Sequence, residues 1–248
     1  MPDVLPEAEP LSVAGGPVGC LVIHGFTGNP SSMRPIADAM VADGHSVELP
    51  RLPGHGTTVE DMNTTSWPDW TAEVEAAYQR LAGRCDHVVA MGLSMGGTLT
   101  AWIAAQHPEI AGIVLINAAA EPSDDMRAAI QAMIDGGEEY MDGIGSDVAD
   151  PDVTESAYAK VPLAPLVSML DGVAGIQDRL GAISAPALIM TSTQDHVVAT
   201  SASDHLAATL GGPVERVTLD RSYHVATIDL DRDLIIERIR GFVARLTA

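Results

Sequence analysis

Lysine is almost missing from this sequence: Lys160 is the only one in 248 residues, and 13 basic side chains in all stand against 34 acidic ones. The resulting formal charge of −21 repels phosphate backbones and anionic lipid surfaces, so nucleic acid is excluded as a partner. Cysteine is equally sparse. Cys20 and Cys85 belong to no CxxC pair and to no Cys/His set with the spacing of metal ligands. Each lies at the edge of an expected strand, and both read as buried, reduced thiols; neither a metal nor an organic cofactor is expected. The first ten residues, MPDVLPEAEP, contain no Lys or Arg and no apolar stretch of the kind a secretory signal needs, so cytoplasmic residence is the expectation. Long hydrophobic runs are missing too. The longest, residues 110–116, is far shorter than the ~20 residues that span a bilayer.

What the chain does have is apolar material, 46 % of its residues, at a length that fits one domain over 1–248 near the upper size of a single core. From residue 18 onward, short β-branched runs alternate with amphipathic helical windows, the sequence form of a mostly parallel sheet flanked by helices, an α/β class fold. Residues 18–23, 45–49, 87–91, 112–116, 187–191 and 214–219 read as near-continuous apolar strands, as expected where both faces of a sheet are covered. Between them, Ser66 followed by Asp69 starts a helix, and Trp70, Val74, Ala77, Tyr78 and Leu81 recur at helical spacing. The rhythm breaks between about residues 121 and 165, where eleven acidic side chains stand against Arg127 and Lys160 over residues 121–160. A long non-strand segment between two sheet strands reads as an inserted cap over the carboxyl end of the sheet.

The sharpest chemical signal is Gly92-Leu93-Ser94-Met95-Gly96, directly after the strand at 87–91 and directly before the helical window 98–106. A serine raised on a tight strand-to-helix turn needs small neighbours because the chain crowds itself there, and the turn exposes the hydroxyl at the sheet edge. Ser94 is therefore the candidate nucleophile. A serine hydroxyl is weak alone and needs a base, and the base needs an orienting acid. Asp195 follows the strand at 187–191 and His224 follows the strand at 214–219, so both fall on loops at carboxyl ends of strands. His196, on the same loop as Asp195, and His24, beside a different strand end, are the rival histidines, and Asp204 and Asp220 are the alternative acids. An acyl transfer also builds negative charge on a carbonyl oxygen, which backbone N–H groups must meet. Met95, at the helix N-terminus, offers one donor, and Phe26 in His24-Gly25-Phe26-Thr27-Gly28 offers the second. His24 itself reads as a hydrogen-bonding scaffold for that turn.

These segments resemble those of bacterial monoacylglycerol lipases and the closely related short-chain carboxylesterases of the α/β-hydrolase fold. The resemblance runs through HGFTGNPSSMRP (24–35), LPRLPGHGT (49–57), GLSMGGTLT (92–100), INAA (116–119), GIGSD (143–147), PDVTESAY (151–158), DHVV (195–198) and SYHVATID (222–229). It implies a cap over the active site, an acyl tunnel and a small polar pocket for a glycerol leaving group. By the same resemblance Ser94, Asp195 and His224 match the catalytic triad, Phe26 and Met95 the oxyanion donors, and Glu155 with backbone near Ile144 the contact to glycerol hydroxyls. Without it, Glu155 is one of eleven acids in an acidic run and reads as solvated. The implied activity is hydrolysis of monoacylglycerols to fatty acid and glycerol. The alternatives are a general short-chain carboxylesterase and a ligand-sensing relative with little turnover. Leu163, Leu166, Val167, Met169 and Leu170 are candidates to line the tunnel or face lipid, which would give the cap a transient contact with a lipid surface. The small-molecule ester is the expected partner, and the chain is compatible with a monomer or a homodimer.

Overall fold

The computed structural model describes residues 2–247. The strands are β1 (Leu11–Val13), β2 (Val18–Ile23), β3 (Ser46–Leu49), β4 (His87–Leu93), β5 (Gly112–Ile116), β6 (Tyr140–Asp142), β7 (Lys160–Pro162), β8 (Ala187–Ser192) and β9 (Val214–Leu219). The helices are α1 (Arg34–Ala42), α2 (Val59–Met62), α3 (Trp67–Ala82), α4 (Met95–Gln106), α5 (Asp124–Asp135), α6 (Leu163–Gly175), α7 (Gln177–Leu180), α8 (Ser201–Thr209) and α9 (Arg232–Leu246). Seven strands form one sheet in the order β1-β3-β2-β4-β5-β8-β9, parallel except for β1. This is the α/β-hydrolase architecture. β6 and β7 pair separately as a small antiparallel ribbon.

Side chains alternate across a strand, so the unbroken apolar runs of the inner strands supply two cores. Leu21, Ile23, Ala90 and Leu115 pack toward one face with Leu99 and Ile103 of α4 and Trp70, Val74 and Leu81 of α3. Cys20, Val22, Met91 and Val114 pack toward the other with Met40 of α1 and Ile235 and Ile239 of α9. Each fully buried Leu, Ile, Val or Met among them contributes about 1.5–3 kcal/mol. The helix expected from Ser66 forms, and all five of its expected apolar positions are buried. Its first turn closes as the Ser66 backbone N–H and hydroxyl both donate to Asp69 Oδ2, at 2.9 and 2.7 Å.

Two expectations need correction, and one strand was not expected. β9 is not doubly covered: it is an edge strand whose residues are mostly half-buried or exposed, and it carries Glu215, paired with Arg245, and Arg216, paired with Asp204. An edge strand keeps one flank in water, so charged residues persist there. The strand that was not expected is the antiparallel β1, which at three residues is too short to show a period. Cys20 lies inside β2 and is buried, whereas Cys85 is only half-buried at the turn before β4.

Residues 117–186 leave the sheet between β5 and β8 and hold α5, the β6–β7 ribbon, α6 and α7. Leu163, Val167 and Leu170 meet Ile130 in a small core of this insertion, with Leu166 and Met169 packed beside it. Among the described residues no helix is long and apolar enough to cross a membrane.

Candidate active site

The Ser94 turn shows why its sequence is what it is. Ser94 has φ 56° and ψ −122°, a conformation that costs a non-glycine residue roughly 1–3 kcal/mol. A Cβ on Gly92 would fall 2.1 Å from the Gly96 carbonyl oxygen, and a Cβ on Gly96 would fall 2.2 Å from that of Ile23. Both positions therefore admit only glycine, and the tight crossing they permit holds the strained serine between β4 and α4. Ser94 N–H donates to Ile116 O at 3.0 Å, fixing the turn to β5. Ser94 is half-buried in an otherwise buried run from Val88 to Ala101.

The His24–Gly28 turn passes directly beside it: a Cβ on Gly25 would lie 3.3 Å from Ser94 Cβ. This brings the Phe26 amide and the Met95 amide, the first of α4, to the same edge of the sheet, and the first amides of a helix have no partner within it. The turn is braced from behind. His24 Nδ1–H donates to Gly25 O at 2.9 Å, and its Nε2 accepts from Leu52 N–H at 3.1 Å. Burial, followed by neighbouring His55, holds the His24 imidazole well below its ordinary range. A ring that is neutral, buried and bonded at both nitrogens is a scaffold. Phe26 in turn meets Trp70 edge-on at 5.7 Å.

Asp195 on the loop after β8 and His224 on the loop after β9 come together. His224 Nδ1–H donates to Asp195 Oδ2 at 2.8 Å, and their side chains are only 9 % and 2 % exposed. Asp195 Oδ1 accepts the N–H groups of Val197 and Val198, both at 2.8 Å. With Nδ1 carrying the proton, Nε2 of His224 is the acceptor. The rival residues go elsewhere. His196 is 56 % exposed and pairs with Asp147, Asp204 pairs with Arg216 on the surface, and the Asp220 carbonyl accepts from Gln194.

Glu155 is not solvated, contrary to what an acidic run suggests. Its Oε1 lies 2.9 Å from where a Cβ on Gly28 would stand, so the carboxyl rests on the same turn as Phe26. Burial pushes the Glu155 carboxyl up to about 7, with His224 pulling it down and Asp147 pushing it up. Its own N–H donates to Ser146 Oγ at 2.9 Å. Ile144 is 68 % exposed. The insertion is fastened to the turn: Tyr158 N–H donates to Thr27 O at 3.2 Å, and Asn29 Nδ2 donates to Ser156 O at 2.7 Å.

Some structural partners of the site carry no sequence signal of their role. Asn117, at φ 44°, donates from Nδ2 to His224 O at 2.8 Å and accepts Ser192 N–H on Oδ1 at 2.8 Å, joining the ends of β5 and β8 to the histidine loop. Asp229 accepts four backbone N–H groups, those of Tyr223, Leu230, Ala149 and Asp150. Both residues lie in segments that carried the resemblance, INAA and SYHVATID, which was the only available hint.

A sheet of this order with a serine on a strand-to-helix elbow defines the α/β-hydrolases. The family described as serine aminopeptidase, S33, matches residues 18–231. A thermostable monoacylglycerol lipase of Bacillus sp. (strain H-257) is 48 % identical over 98 % of this chain and 96 % of its own. A carboxylesterase of Bacillus subtilis (strain 168) is 24 % identical over 96 % of this chain and 97 % of its own. Among solved structures, a metagenome-derived lipolytic enzyme superposes with a TM-score of 0.94 at 42 % identity, covering 98 % of this chain and 100 % of that one. The chain thus belongs to this α/β-hydrolase family, within its monoacylglycerol lipase and carboxylesterase branch, and is a serine ester hydrolase.

Proposed function

We propose that the chain hydrolyses monoacylglycerols to fatty acid and glycerol through an acyl-enzyme on Ser94. Ser94 Oγ attacks the ester carbonyl as His224 Nε2 takes its proton, and the amides of Phe26 and Met95 receive the oxyanion. The tetrahedral species collapses, the proton passes from His224 to the glycerol oxygen, and glycerol leaves. Water, deprotonated by His224, then attacks the acyl-Ser94 carbonyl, and the fatty acid departs as Ser94 regains its proton. Asp195 holds the His224 tautomer throughout. Residues 121–165 act as the cap of the single domain, and exposed Met126, Met141 and Ile144 give that cap apolar contacts for a lipid surface.

The observation that carries the substrate is Glu155, a carboxyl on the cap held against the Gly28 turn and close enough to His224 to sense its charge. As a carboxylate it accepts two hydroxyl hydrogen bonds, and as an acid it donates one, so either form engages a glycerol head with backbone near Ile144. A buried polar group left unpartnered discriminates against esters that lack those hydroxyls. The test compares kcat/KM for a monoacylglycerol with that for the methyl ester of the same acid and with di- and triacylglycerols. The monoacylglycerol is expected to lead by tenfold or more, on the order of one charged hydrogen bond. Equal values for the methyl ester would instead assign a general carboxylesterase.

Gly28→Ala probes the same pocket without touching the chemistry. Its φ is not one that favours glycine, and the added methyl meets the movable end of Glu155. The variant is expected to lose about tenfold in kcat/KM on monoacylglycerol and less than about twofold on the methyl ester. Equal losses on both would place the effect at the oxyanion turn rather than at Glu155.

A further inference from the structure

Residues 147–150 of the insertion are stitched to the loops that carry His224 and Asp195. Asp147 Oδ2 accepts the backbone N–H of His224 at 3.0 Å and that of His196 at 3.2 Å. Its Oδ1 receives His196 Nδ1–H at 2.7 Å, and its carbonyl accepts Val225 N–H at 3.1 Å. Two residues on, Ala149 and Asp150 donate to the Asp229 carboxylate at 2.8 and 3.0 Å, and that carboxylate also accepts Tyr223 N–H at 2.9 Å. The Asp147 side chain is 11 % exposed. In a chain of net charge −21, a largely buried carboxylate beside Glu155 is electrostatically unfavourable, and here three N–H donors offset that cost.

His196 immediately follows Asp195, so one carboxylate oxygen joins the backbone of the acid loop to the backbone of the base itself. We propose that Asp147 is a positioning residue for ester hydrolysis: it fixes the spacing between the His224 and Asp195 loops from within the insertion. The insertion is on this account part of the catalytic frame as well as its cover. Loss of the clasp lets the His224 backbone drift, and a displacement near 1 Å of a reacting group costs about a hundredfold in rate. This rests on the Ser94, His224 and Asp195 assignment.

The chemistry of the clasp separates bonding from charge. An asparagine at 147 keeps one oxygen for the two backbone N–H groups. Its amide nitrogen then faces His196 Nδ1, and the exposed His196 ring accepts by moving its own proton to Nε2. An alanine removes every side-chain bond. A glutamate keeps the charge but pushes the oxygens forward by one methylene.

The experiment measures kcat and KM on a short p-nitrophenyl ester, which does not use the glycerol pocket, for Asp147→Ala, Asp147→Asn, Asp147→Glu and His224→Ala, with thermal unfolding to establish folding. Asp147→Ala is expected to lose about 10- to 100-fold in kcat with KM within about twofold, and Asp147→Asn to stay within about threefold of the parent. Where the alanine variant does not fold, Asp147→Glu replaces it with the same expected loss in kcat. Parental kcat in the folded alanine or glutamate variant overturns the clasp, as does an asparagine variant as slow as alanine. Retained activity in His224→Ala overturns the underlying triad instead, so the two failures are distinct.

Discussion

Ser94→Ala is expected to lower kcat on a chromogenic ester by about 10⁵- to 10⁶-fold while the protein stays folded. The reason lies in how the turn is built. Gly92 and Gly96 hold the crossing, and Ser94 N–H keeps its bond to Ile116 O, so the backbone needs nothing from the hydroxyl. Alanine adopts the same φ of 56° at a similar cost, and stability should change by less than about 1 kcal/mol. What disappears is the nucleophile. The oxyanion amides and the ester pocket remain, so a small residual rate over water persists and KM shifts little. Ester hydrolysis above about a tenth of the parent rate in pure variant protein would place the nucleophile elsewhere.

Asp195→Asn should cost about 10⁴-fold in kcat, and here the direction of the effect follows from two backbone bonds. Asp195 Oδ1 accepts the N–H groups of both Val197 and Val198 at 2.8 Å. An asparagine must keep its oxygen there, because its NH₂ would otherwise face two donors. Its NH₂ is thereby directed at His224 Nδ1, which must become an acceptor, and the ring proton moves to Nε2. A protonated Nε2 cannot accept from Ser94. The substitution is nearly isosteric, so unfolding should change little and KM should hold. The kinetic signature is loss of kcat at constant KM; a loss smaller than tenfold would show that Asp195 does not set the tautomer.

The expectations from sequence fared according to how local their cause was. The strands of the inner sheet were legible because burial on both faces writes an unbroken apolar run, and residues 18–23 and 112–116 match β2 and β5 residue for residue. The Ser94 turn was legible because its steric demand is met within five residues. Asp195 and His224 were legible as residues after strand ends, and the structure joins them by a hydrogen bond. β9 was misjudged because its edge position is a property of the sheet order, not of its own composition. Glu155 could not be told from its acidic neighbours, since what distinguishes it is contact with Gly28, 127 residues earlier in the chain. Asp147, Asn117 and Asp229 act by accepting backbone N–H groups brought to them from distant loops. No pattern of residue types announces an acceptor of that kind.

Hydrolysis of a monoacylglycerol requires an activated Ser94 serving a pocket that takes a glycerol-headed ester. A neutral methyl p-nitrophenyl alkylphosphonate reports the serine, because an Oγ whose proton passes to His224 attacks phosphorus and expels p-nitrophenolate. Stronger protection by a monoacylglycerol than by the methyl ester of the same acid reports the pocket. One phosphonyl group per chain is predicted, mapped by peptide mass spectrometry to Ser94, formed as activity is lost and slowed by added monoacylglycerol. Labelling at another residue with Ser94 unmodified, or full activity in stoichiometrically labelled protein, would contradict it.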